Sequence, residues 1–165
     1  MIALSKDSYK YDWIAIIDFS SPYPQLLAKK IRRMGVYSEI FPYNFKLENI
    51  PTNKLKGIIF SGISENPVEV IPPDFKEKIL SLNVPILGVG YGMKLMLEVI
   101  GDIFIKQGAR SEYEDVIIEV TYDRDNGIFY QLPNKFKGQI DQSYPTDVFS
   151  SDYIITAIEP KGNTI

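Results

Sequence analysis

Neither cysteine nor histidine occurs among the 165 residues of this chain. Their absence removes the commonest nucleophile–base pairs, thiolate–imidazole and serine–imidazole, and the commonest zinc ligands. No disulfide framework is available, and a chain of this length needs none. A domain of about 150 residues buries roughly 70% of the surface its unfolded chain exposes. Nor is there an excess of positive charge. The net charge is −3, which argues against nucleic acid and anionic membranes as partners. No apolar run approaches the roughly 20 residues of a spanning helix, and Met1 to Tyr11 is too polar for a signal peptide. With no export signal, the cytoplasm is the expected compartment. We expect one domain over 1–165, with no cofactor and no metal. Glu112, Glu114 and Asp115 resemble a metal cluster only superficially, because strand alternation sends them to both faces.

What is present is an alternation of short apolar runs and amphipathic segments. Trp13 to Phe19 reads as a buried strand. Pro22 to Met34 reads as a helix, with Leu27, Ile31 and Met34 on one face, a Lys29, Lys30, Arg32, Arg33 cluster on the other, and Gly35 ending it. Strands are expected at Val36 to Phe41, Lys56 to Phe60 and Val84 to Val89. A helix is expected over Pro73 to Leu82, with Phe75, Ile79 and Leu80 inward, and another from Lys94 to Ile100. Met93, Leu95, Met96 and Val99 read as core. This order implies parallel β-α-β units with right-handed crossovers, a doubly wound, mostly parallel α/β sheet of the flavodoxin-like kind. The unbroken apolar run at Val84 to Val89 implies a central strand. Beyond Gly101 the expected strands are shorter and antiparallel: Ile103 to Gln107, Val116 to Tyr122, Ile128 to Gln131 and Tyr153 to Ile158. Asp141 and Gln142 read as loop residues.

The segment Val84-Pro85-Ile86-Leu87-Gly88-Val89-Gly90-Tyr91-Gly92-Met93 has the form of a nucleophile elbow. In such an elbow a strand turns sharply into a helix and exposes the residue at the tip. The backbone N–H groups beyond the tip can hold an oxyanion. Here the tip is Gly90, which has no side chain. Gly88, Gly90 and Gly92 fit neither the dinucleotide fingerprint nor the P-loop spacing.

This stretch resembles the elbow of class I glutamine amidotransferases, above all the glutaminase part of GMP synthetase, whose pattern is Gly-Ile/Val-Cys-Tyr-Gly-Met-Gln. Three further segments agree in order and spacing. Asp18-Phe19-Ser20-Ser21-Pro22-Tyr23-Pro24-Gln25-Leu26 resembles D-F-G-S-Q-Y-x-Q-L, Met34-Gly35-Val36-Tyr37-Ser38-Glu39-Ile40 resembles L-G-V-Y-C/S-E-I, and Gly57-Ile58-Ile59-Phe60-Ser61-Gly62-Ile63-Ser64-Glu65 resembles G-I-I-L-S-G-G-P-E. Beyond residue 100 only Glu112-Tyr113 and Asp141-Gln142-Ser143 remain, the latter against the family's S-H-G.

The resemblance implies a glutaminase fold with its active site at the carboxyl ends of the strands, where Ser20-Ser21, Ser61-Gly62-Ile63 and Gly90-Tyr91 should gather. It places Gly90 at the nucleophilic cysteine and the oxyanion donors at Tyr91 and Ile63. It also places glutamine-binding residues at Gly62, Lys94 and Gln142, all vestigial here. Ile63 stands at a glycine and Lys94 at a glutamine of the family pattern. The chain is expected to end before the family's histidine-bearing H-P-E segment. Losing a triad nucleophile costs on the order of 10⁶ in kcat, and a bare oxyanion hole supplies roughly 10³-fold over water. The expectation is therefore an inactive glutaminase-like protein that binds a partner as a scaffold or regulator. The implied partner is a synthetase subunit of the ATP-pyrophosphatase kind, with a homodimer as the other assembly left open. The alternative is a working amidotransferase subunit for GMP synthesis, or another hydrolase, using unrecognised or partner-supplied residues. Ser61, Ser64 and Tyr91 are the nearby hydroxyls, none with a histidine to activate it.

Overall fold

The computed structural model describes residues 10–62, 73–99, 113–122, 127–141, 154 and 156–158. The chain divides into two compact units, Met1–Asp102 and Ile103–Ile165.

In the first unit four strands form a parallel sheet in the order β2-β1-β3-β4: β1 (Trp13–Phe19), β2 (Tyr37–Pro42), β3 (Leu55–Gly62) and β4 (Ile86–Gly90). Helices α1 (Pro24–Arg33), α2 (Phe75–Ser81) and α3 (Tyr91–Val99) connect and flank them. Side chains alternate between the two faces of a strand, and the register follows this. Ile16 lies beside Ile59, and both pack with Ala28 and Ile31 of α1. On the opposite face Phe19, Phe60 and Phe75 meet, with ring centroids 5.4, 6.2 and 5.7 Å apart. All three are buried, which makes this aromatic cluster a main anchor of α2.

Helix α1 starts with Pro24 in its first turn, where the missing N–H costs nothing. It ends in a Schellman motif. The Gly35 N–H donates to the Arg32 carbonyl at 3.0 Å and the Val36 N–H to the Ile31 carbonyl at 3.4 Å, while Gly35 takes φ +83°. Met34 therefore falls on the cap, 74% exposed, and not on the buried face expected of it.

Two further expectations fail in this unit. Leu80 is 47% exposed; α2 is only seven residues long and buries Phe75 and Ile79 alone. Among the described residues the run Val84 to Val89 does not hold a central place: β4 lies at the edge of the sheet they form. Leu87 and Val89 pair in register with Ile59 and Ser61, so they share the face that α1 covers. Helix α1 packs on β1 and β2, leaving Leu87 42% and Val89 44% exposed. Consecutive apolar residues mark a strand but not its place in the sheet. Within α3, Leu95 is buried and Met93 and Met96 are half-buried.

In the second unit β5 (Tyr113–Val120) pairs antiparallel with β6 (Lys135–Asp141) and with β7 (Ala157–Ile158). Val116, Ile118 and Ala157 form its core, against Phe129 and Phe136. The strand expected over Ile128 to Gln131 is a turn, in which the Tyr130 N–H reaches the Gly127 carbonyl and the Leu132 N–H the Phe129 carbonyl, each at 3.0 Å. Only Phe129 of that run turns inward, against Phe136. Asp141 closes β6 and is not a loop residue. The strand expected at Ile103 to Gln107 lies outside the described residues.

Candidate functional site

The carboxyl ends of the strands converge as the fold class requires. Phe19 pairs with Gly62 and Gly62 with Gly90, so three strand ends stand side by side. β4 passes into α3 with no intervening residue: Gly90 is the last of the strand and Tyr91 the first of the helix. Gly90 makes the turn at φ +58°.

Three other glycines make so sharp a turn packable. A Cβ on Gly92 would lie 2.2 Å from the Phe60 carbonyl oxygen, so the first turn of α3 rests directly on the β3 backbone. A Cβ on Gly88 would lie 2.4 Å from Cα of Met93. At Gly62 it would lie 3.0 Å from the Tyr91 ring and 3.1 Å from Phe19. At Gly90, by contrast, the one atom of the described residues within 4 Å would be the Gly62 carbonyl oxygen, at 3.1 Å. Among the described residues the tip is thus the least crowded of these four glycines toward an added side chain, needing only the Gly62 carbonyl to give slightly.

Tyr91 is buried, 5% exposed. Lys94, one turn on, sets its Nζ 5.7 Å from the Tyr91 ring centroid and 3.4 Å from Glu98 Oε1. The ion pair is largely screened from water, with side chains 17% and 23% exposed. At the end of β1, Asp18 Oδ1 accepts the Ser21 N–H at 2.7 Å, Ser21 Oγ accepts the Tyr23 N–H at 3.1 Å, and Ser20 is held at φ +63°. Ser61 is buried on the α1 side of the sheet, in register with Asp18 and Val89.

Of the expected site residues, the structure therefore brings together Gly62, Gly90, Tyr91 and Lys94. Ile63, Ser64 and Gln142 lie outside the described residues. Among the described residues no group of three acidic side chains could hold a metal ion, and no helix is long and apolar enough to cross a membrane.

A second feature escaped sequence reading. A cavity of about 190 Å³ opens between the loop after β2 and α2, lined by Tyr43, Phe45, Glu48, Asp74, Phe75 and Lys78 among others. Lys78 Nζ bridges Asp74 Oδ2 at 2.7 Å and Glu48 Oε2 at 3.4 Å. The hydrogen bond from Lys78 lowers the Asp74 pKa. A backbone hydrogen bond at Glu48 itself, then Lys78, lowers that of Glu48. The hydrogen bond to Asp74 raises that of Lys78. The spacing of Asp74 and Lys78, one helical turn apart, was the available signal; Glu48 comes from a separate segment.

The family model for glutamine amidotransferase class-I matches residues 15–165. The glutamine-hydrolyzing GMP synthase of Campylobacter jejuni is 42% identical over 125 residues, which are 74% of this chain and 23% of that protein. The GMP synthase of Petrotoga mobilis is 32% identical over 161 residues, 92% of this chain and 31% of that protein. The chain thus spans a quarter to a third of the length of these relatives. Among solved structures, a GMP synthase subunit from Thermoplasma acidophilum superposes with a TM-score of 0.69 at 17% identity, over 93% of this chain and 75% of that one. A chain of PurLQS from Thermotoga maritima gives 0.63 at 14% identity, over 93% and 77%. These two show a shared fold.

Proposed function

Because the chain belongs to the class I glutamine amidotransferase family, we propose that it is a member that has lost glutamine hydrolysis and serves as a partner-binding scaffold or regulator. One observation carries this reading. The elbow is built, glycine by glycine, around a tip that is itself glycine. The resemblance puts the family's cysteine at that tip, and the chain holds no cysteine or histidine to replace it. Of the nearby hydroxyls, the two among the described residues do not substitute: Ser61 is buried on the α1 side of the sheet, and Tyr91 is packed against Gly62. The chain has no histidine to deprotonate either.

Lys94 supports the same reading. In the family pattern a glutamine stands there. Here the ammonium is committed to Glu98 and the Tyr91 face, which does not reproduce a neutral amide's donor and acceptor. Interface energy depends on buried anchors and not on a reactive group, so the fold can be retained for binding after its chemistry is lost. The relatives are GMP synthases of which this chain matches less than a third. From the relatives' being GMP synthases, the partner we propose is a synthetase subunit of the ATP-pyrophosphatase kind, met in the cytoplasm.

The test is capture from native extract with a parallel glutaminase assay on the wild-type chain and on Gly90→Cys. We expect a synthetase-type subunit to be captured, and no ammonia from either protein above a protein-free blank. A thiol alone lacks the relay base, so ammonia from Gly90→Cys would show that the base is present after all.

A further inference from the structure

The outward ridge of α1 is built unlike an ordinary solvated helix face. At about 3.6 residues per turn, Leu26, Lys29, Lys30 and Arg33 lie opposite Pro24, Ala28 and Ile31, which are the buried positions. The helix contains no acidic residue. Among the described residues, none of Lys29, Lys30 and Arg33 has a carboxylate within ion-pair distance. Cations three and four positions apart on a helix repel by a few tenths of a kcal/mol per pair.

Cations in the last turn complement the helix dipole, which favours Lys30 and Arg33 there as well; Arg32, in the same turn, is committed to β2. Its guanidinium donates from Nε, at 3.1 Å, and from Nη2 to the Ser38 carbonyl and lies 5.8 Å from the Tyr37 ring centroid. Dipole compensation does not account for Lys29, a turn earlier. It also leaves unexplained the two apolar side chains at the ends of the ridge, Leu26 at 51% and Met34 at 74% exposure.

Resting on the partner-binding reading above, we propose that this ridge is the docking surface, and that it fits an acidic protein surface with apolar recesses for Leu26 and Met34. The choice of occupant follows from charge complementarity. Three cations are concentrated on one ridge of a chain whose net charge is −3, so attraction is local to the ridge. A nucleic acid would be repelled by the rest of the molecule and would gain little from two apolar side chains among the phosphates. Apolar anchors within a charged rim are the anatomy of a protein interface.

The experiment uses the full chain as wild type and as three variants: K29Q/K30Q/R33Q, K29E/K30E/R33E and L26A/M34A. Gln keeps the helix propensity, and circular dichroism checks that each variant is folded. The synthetase-type subunit captured from extract by the wild-type chain is identified, produced separately and titrated against all four proteins at low and high salt. Rim charges act mainly on encounter and salt dependence. We expect affinity to fall about 10-fold on neutralisation and about 100-fold on charge reversal, with the salt dependence much reduced. For L26A/M34A we expect a fall of about 10-fold with the salt dependence kept. Equal affinity across the variants would overturn the ridge and leave partner binding standing. If the wild-type chain captures no such subunit, partner binding fails and the ridge with it. Binding that disappears on nuclease treatment would overturn the choice of a protein occupant.

Discussion

The ends of β1 and β4 share nearly the same left-handed φ with opposite residue choices. Ser20 sits at φ +63° and Gly90 at φ +58°. In the family motifs quoted above, the first position is glycine and the second cysteine. This chain therefore keeps a side chain where the family dispenses with one, and dispenses with one where the family needs it. A non-glycine residue in the left-handed region costs roughly 1–2 kcal/mol. The chain meets that cost at Ser20, and again at Lys54, Asn83 and Gln131. A left-handed φ alone thus does not exclude a side chain at position 90, and among the described residues the one close atom, the Gly62 carbonyl oxygen at 3.1 Å, would have to give only by a few tenths of an ångström. On the proposed reading, the residue choice there reflects the lapse of a demand for a reactive group. Gly88 and Gly92, packed against backbone, still answer to the fold.

The sharpest way to break this comparison is Gly92→Ala. The added Cβ must displace the Phe60 carbonyl from 2.2 Å, in a fully buried part of β3. We expect a loss of about 3 kcal/mol or more in urea unfolding, and a variant as stable as wild type would refute the packing argument. Gly90→Ala should cost less, about 1 kcal/mol, because left-handed strain is partly offset by the lower entropy of the unfolded chain. If the two variants lost the same stability, tip and flank would not differ as argued. Ser20→Gly should be neutral or stabilising by up to about 1 kcal/mol for the same reason reversed. A clear loss would mean that the Asp18 and Ser21 hydrogen bonds depend on the Ser20 side chain.

The smallest effect lies away from the strand ends, at Asp74, Glu48 and Lys78. Both carboxylates have folded pKa values below their ordinary ones, 3.8 and 4.5. Their contribution is therefore fully present above those values and is lost as pH falls through the depressed ones. The Lys78 pKa is raised from 10.5, so its contribution holds below that value and is lost as pH rises through the higher one. All three side chains are exposed to solvent, so the effect is slight. Lys78→Met should flatten the acid limb of the stability–pH curve, read from urea midpoints between pH 2 and 6. An unchanged limb would deny the pairing.

The parallel unit was legible from sequence because its strands are short apolar runs separated by helix-period segments. The expected Trp13 to Phe19 strand is observed with the same bounds. The edge position of β4 among the described residues was not legible, since an apolar run does not record which neighbours cover it. In the second unit the run Ile128-Phe129-Tyr130 suggested a strand, yet Gly127 and Pro133 bracket a turn in which one ring is inward. β6 was missed although Phe136, Gly138 and Ile140 alternate with Lys135, Lys137 and Gln139. Gly138 hid the period; an added Cβ there would meet Ile118 Cδ1, the movable end of a flexible side chain. At the site, sequence spacing located Gly62, Gly90 and Tyr91, because a strand-to-helix elbow leaves a glycine signature. The Lys94–Glu98 pair went unread, since four-residue charge spacing is common on solvated helices.

The most direct measurement is ammonia release from glutamine by the purified wild-type chain, alone and again with its captured partner and that partner's substrates. Working enzymes commonly turn over at about 10 per second. The account predicts a rate indistinguishable from the protein-free blank when the chain is alone, and with the partner a rate no higher than the partner gives by itself. Glutamine-dependent ammonia at anything near a working enzyme's turnover, in either condition, would contradict it.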